Sequence, residues 1–97
     1  MTDVSVRVPS ALRETCGGEH TVVVAVPDPA TVGAALDSLA ATHPALERRI
    51  RDELGHVRAH VNLFVGADNI RDLDGTSTSV PPGDDLTIIA AVSGGCV

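Results

Sequence analysis

Leu86-Thr87-Ile88-Ile89-Ala90-Ala91-Val92-Ser93-Gly94-Gly95-Cys96-Val97 runs from a β-branched, apolar strand straight into two glycines. Glycine has no Cβ, so a Gly-Gly end is thin and unrestricted in its backbone angles. Such an end threads a narrow active site in which a larger residue clashes. That property is wanted when the C-terminal carboxylate is itself the reacting group. The same pair at Gly17-Gly18 lies inside the chain and reads as a turn. Position, not the dipeptide, carries the information.

Working back from this strand, Pro81-Pro82-Gly83-Asp84 is a strong turn signal. Asp74 to Val80 reads as a polar loop, and Ile70 and Leu73 as a short edge strand. Val61-Asn62-Leu63-Phe64-Val65 is a strand, followed by a turn through Gly66-Ala67-Asp68. Two helices precede it. Thr31 to His43 carries Val32, Leu36, Leu39 and Ala40 at helical spacing, with Thr31 or Asp28 as its cap. Pro44 ends that helix. Ala45 to Leu54 repeats the period through Leu46, Ile50 and Leu54, and Gly55 stops it. At the start, Val4-Ser5-Val6-Arg7-Val8 alternates strictly and His20 to Val26 is a second β-branched run. These two strands pair as a hairpin across a loop from Pro9 to Glu19. The order β-β-α-β-(β)-β predicts one α+β domain over residues 1–92, with helices packed on a mixed sheet and a flexible tail at 93–97.

Ninety-seven residues provide one small core. Val, Leu, Ile and Ala must fill it, because Phe64 is the only aromatic residue. A net charge of -6 argues against nucleic acid and anionic membranes and points to basic partner surfaces. All seven basic residues other than histidine are Arg, so no side chain accepts an isopeptide bond. No apolar run approaches the roughly 20 residues that span a bilayer. The N-terminus enters a strand at once, without the pattern of a signal peptide, so a cytoplasmic protein with reduced thiols is expected.

The strand order, the segment Val61–Val65, the turn Pro82-Gly83-Asp84-Asp85-Leu86-Thr87-Ile88 and the ending Ala91-Val92-Ser93-Gly94-Gly95 together resemble the ubiquitin-like sulfur carriers of the MoaD/ThiS family. The resemblance covers nearly the whole chain. Ala11-Leu12-Arg13, Gly17-Gly18 and His60–Val65 look most similar to the carriers of cysteine and secondary-metabolite pathways. It implies a β-grasp fold, with a sheet of four or five strands on one main helix and a short second helix. It also implies a protein that is no enzyme but a substrate of partner enzymes.

In such carriers Gly95 is the reacting residue, and Gly94 and Gly95 present it. A ubiquitin-activating-like adenylyltransferase uses ATP and Mg²⁺ to activate the glycine carboxylate, sulfur displaces AMP, and the thiocarboxylate serves a sulfur-accepting biosynthetic enzyme. The carrier itself binds no cofactor. This chain departs from the usual Gly-Gly ending by continuing with Cys96-Val97, which leaves the Gly95 carbonyl as an amide. The resemblance therefore implies a pro-form cut between Gly95 and Cys96 by a zinc-dependent JAMM-type peptidase. The alternatives are the small subunit of molybdopterin synthase, a ubiquitin-like modifier joined to lysines of other proteins, and an interaction module that is never activated.

Other residues carry less. Cys16 reads as a buried or loop cysteine without a role, and two cysteines are too few for four-thiolate ligation. His20, His43, His56 and His60 form no metal motif. Arg48, Arg49 and Arg51 read as a solvated helix face. On the 61–65 strand, alternation turns Val61, Leu63 and Val65 toward the helix and Asn62 and Phe64 away. In the last strand Leu86 and Ile88 point in, and Thr87 and Ile89 out. Phe64 and Ile89 then share an exposed apolar patch on the sheet face through which the family docks its activating enzyme. A one-residue slip would bury Phe64 instead.

Overall fold

The alternating segments at the start of the chain fold as β1 (Thr2–Arg7) and β2 (Thr21–Val26), an antiparallel pair with Arg7 opposite Thr21. They belong to a computed structural model that describes residues 1–90. Ala91 and Val92 of the expected last strand, and the tail 93–97, lie outside the described residues. The other strands are β3 (Val61–Val65), β4 (Asp68–Asn69) and β5 (Asp85–Ala90). They form one mixed five-stranded sheet in the order β2-β1-β5-β3-β4, the β-grasp arrangement. β5 lies parallel to β1 and antiparallel to β3.

One face of this sheet is covered by α1 (Val32–Thr42) and α2 (Pro44–Ile50). Val32, Ala35, Leu36 and Leu39 recur at helical spacing and are fully buried. They meet Val4 and Val6, Val24 and Val26, Leu63, and Leu86 and Ile88 in one core. The Thr31 hydroxyl accepts the Ala34 N–H at 3.1 Å and caps α1. Pro44 begins α2, where its missing N–H costs no helical bond.

Three local expectations are corrected, and a fourth segment gains a role. The segment after β1 is not a plain loop: Ser10–Cys16 is a 3-10 helix that buries Leu12 and Cys16 and ends on left-handed Gly17. α2 stops at Ile50, not Leu54, because the Asp52 carboxylate accepts the N–H groups of Leu54 and His56 and folds a turn. Leu54 is left 76% exposed. The edge strand is Asp68–Asn69 rather than Ile70 to Leu73, since the Asn69 side chain accepts the Arg71 N–H and starts a 3-10 turn. Ile70 then plugs the core. Finally, the polar segment 74–80 straps α1: Thr78 C=O accepts the Val32 N–H at 2.9 Å, and Val80 N–H donates to Ala30. Gly33 lets this strap pass, for a Cβ there would meet the Thr76 carbonyl at 3.2 Å.

Candidate functional site

β5 is the strand that delivers the tail. Because it runs parallel to β1, its C-terminal end emerges beside the C-terminal end of β1, with Ala90 opposite Val61 of β3. Gly94, Gly95 and Cys96 lie outside the described residues. What is described is the platform from which they depart.

The sheet face away from the helices is laid out by register. One row crosses all five strands: Thr21, Arg7, Thr87, Phe64 and Asn69 are successive neighbours. Ile89 stands opposite Asn62, so it is the diagonal neighbour of Phe64 on the same face. Val61, Leu63 and Val65 are buried, Phe64 is half-buried and Ile89 is 48% exposed. The register expected from alternation therefore holds, and Phe64 and Ile89 share the outer face. Asn69 donates to Asn62 at 3.3 Å beside them.

Beyond this apolar pair the face turns cationic. Arg7, Arg13, His20, Thr21 and Thr87 line an open concavity of about 270 Å³ where β1 ends. Arg7 Nε donates to Asp85 at 2.7 Å, and Arg13 Nε to the Val8 carbonyl at 3.2 Å. The alternation of β1 flags Arg7 as outward-facing. Nothing in the sequence flags Arg13, because its place depends on the 3-10 helix.

A larger concavity lies among α1, α2 and the turn after α2. Asp37, Glu47, Arg51, Asp52 and Arg58 of its lining are engaged by the chain itself. Arg51 donates to Asp37 at 2.8 Å and to Glu47 at 3.3 Å. Its side chain is only 13% exposed, so it is not part of a solvated face as expected. Burial works to lower its pKa, but the hydrogen bonds to Asp37 and Glu47 outweigh it and the net shift is upward. Arg58 Nε donates to the Arg48 carbonyl. Arg71 reaches three carbonyls, of Arg58, Ala59 and Val61, and holds the approach to β3. Among the described residues no cluster of His, Cys, Asp and Glu is arranged to hold a metal ion, and no helix is long and apolar enough to cross a membrane.

Comparison with known proteins gives this platform its context. The model of the ThiS family matches residues 6–95. The sulfur carrier protein CysO of Mycobacterium tuberculosis is 32% identical over 95 residues, covering 96% of this chain and 99% of that protein. Small archaeal modifier protein 1 of Haloferax volcanii is 38% identical over 78 residues, covering 80% of this chain and 85% of its own. Among solved structures, a chain of the Amycolatopsis orientalis BexX/CysO complex superposes with a TM-score of 0.80 at 31% identity, over 93% of this chain and 97% of that one. These relatives are small carriers and modifiers, not catalysts. With its β-grasp sheet and a match over nearly its full length, the chain belongs to the ThiS family of ubiquitin-like sulfur carriers.

Proposed function

We propose that this chain carries sulfur as a thiocarboxylate on Gly95, after removal of Cys96 and Val97, for cysteine or secondary-metabolite biosynthesis. The observation that carries the reading is the extent of the family match, which runs to Gly95 and stops there. Cys96 and Val97 lie beyond it. A zinc-dependent JAMM-type peptidase adds water across the Gly95–Cys96 bond and frees a carboxylate. With a pKa of about 3.5 that group is ionised and unreactive at neutral pH. A ubiquitin-activating-like enzyme makes it reactive: one carboxylate oxygen attacks the α-phosphorus of ATP, and pyrophosphate leaves. A sulfur nucleophile then adds to the carbonyl, and AMP leaves. This chain supplies the acyl group and the docking surface, and its partners supply the catalysis. The use of ATP and reduced thiols supports a cytoplasmic setting.

Docking falls to Phe64 and Ile89. A half-buried aromatic ring beside an exposed isoleucine gives a partner an apolar anchor without exposing the core. Phe64→Ala is expected to weaken binding to the activating enzyme while the domain stays folded.

Intact mass tests the central reading. The full chain is incubated with the peptidase, the activating enzyme, ATP and a sulfide source. Loss of the Cys-Val mass followed by exchange of one oxygen for sulfur is expected. A full-length, unmodified chain after the same treatment refutes the reading. The similarity to the archaeal modifier favours a second reading, in which Gly95 is joined to lysines of other proteins. Since this chain has no lysine of its own, such conjugates would be single additions and not side-chain-linked polymers. Discrete conjugates, each heavier than its target by one copy of this chain, in cell extracts would identify that use.

A further inference from the structure

We propose that the concavity formed by Arg7, Arg13 and His20 is a socket for a carboxylate side chain on the enzyme that adenylates the tail. This rests on the carrier reading above and adds the chemistry of the partner's surface.

Position comes first. Arg7 is in register with Thr87, three residues before Ala90, where the described strand ends. Gly95 is the fifth residue after Ala90, a reach of at most about 18 Å. An enzyme that grips Gly95 therefore works within that reach of this end of the sheet. The socket is on the same face as Phe64 and Ile89 and shares a cross-strand row with Phe64.

Charge comes second. The chain carries a net charge of -6, yet the ionisable groups lining this socket are all cationic or basic. Asp85 occupies one Arg7 donor, at Nε, which leaves the terminal nitrogens of Arg7 for another acceptor. Arg13 bonds a backbone carbonyl and has no carboxylate in ion-pair contact among the described residues. Glu14 and Glu19 belong to the same connecting segment but do not line the socket. Guanidinium groups bind carboxylates through paired donors, and the Thr21 and Thr87 hydroxyls add neutral ones.

The test is binding of the full chain to the purified adenylating enzyme from the same cells, by calorimetry and stopped flow, at low and high salt. Arg7→Gln combined with Arg13→Gln keeps donors in place and removes both charges. Arg48→Gln with Arg49→Gln makes the same charge change on exposed α2. Circular dichroism establishes that each variant is folded, and Arg7→Gln alone serves if the double variant is not. The socket variant is expected to lose about tenfold in affinity, chiefly in association rate, and to show a flatter salt dependence. The α2 variant is expected to bind as wild type. Equal behaviour of the two variants overturns the socket while leaving the carrier reading intact. Failure of the wild-type chain to bind the enzyme or to acquire sulfur overturns the carrier reading itself.

Discussion

Leu63 and Phe64 are chain neighbours with opposite environments. Leu63 is fully buried against the helices, and Phe64 lies half-buried on the outer face. Leu63→Ala is expected to destabilise the domain by about 2–5 kcal/mol, through lost burial and a cavity. Phe64→Ala should cost clearly less, although it removes more atoms. Urea unfolding of the two variants side by side checks this, and the reverse ranking would contradict the register. Asp52 offers a second check at the same scale. The His56 N–H, and with it the Leu54 N–H, hold its carboxyl below the ordinary value of 3.8, against the opposing effect of burial. A depressed native pKa means that the unfolded chain binds the proton first. The stabilisation is then complete above the ordinary value and is lost as pH falls through the native one. An NMR titration should give Asp52 a midpoint below that of a free aspartate, and Asp52→Asn should flatten the acid limb of the stability curve. Alternation alone discloses the facing of Leu63 and Phe64. The role of Asp52 is hidden, because helical spacing through Leu54 points the other way.

The elements were legible in proportion to how local their causes are. β1 and β3 follow from alternation, β2 from its β-branched run, and α1 from its apolar spacing and from Thr31. Thr31→Ala removes the acceptor for the Ala34 N–H and is expected to cost about 1 kcal/mol, read as a lower midpoint in thermal or urea unfolding. An unchanged midpoint would mean that the strap from 74–80 holds the helix start by itself. The weak elements were missed where a side chain competes with the backbone ladder. Asn69 turns the expected edge strand into a 3-10 turn, and Asp52 ends α2 one turn early. The Ser10–Cys16 helix did leave a signal, in the four-residue spacing of Leu12 and Cys16, but a run so short is decided by the core beneath it.

At the scale of the molecule, helices on one sheet face leave the other free for partners. The same layering buries Cys16: it is 6% exposed, with its sulfur 3.4 Å from the carbonyls of Arg13 and Glu19. A chain cut after Gly95 carries this thiol alone. It is expected to resist a water-soluble thiol reagent in the folded state and to react at once in denaturant. Fast labelling of the folded chain would show that the segment after β1 opens independently.

Sequence by itself determined which residues of the first, third and last strands face inward, and where the main helix runs. These are local matters of period and capping. It also determined the net charge of -6, which taken alone points to basic partners. Tertiary structure decided the opposite for the surface that matters. Pairing β5 with β1 joins residues 78 apart, as in Arg7 and Asp85, and brings Arg7, Arg13 and His20 from three segments to the place where the tail departs. Charge sums over a chain regardless of order, but an electrostatic surface depends on distance, and only the packed sheet sets those distances.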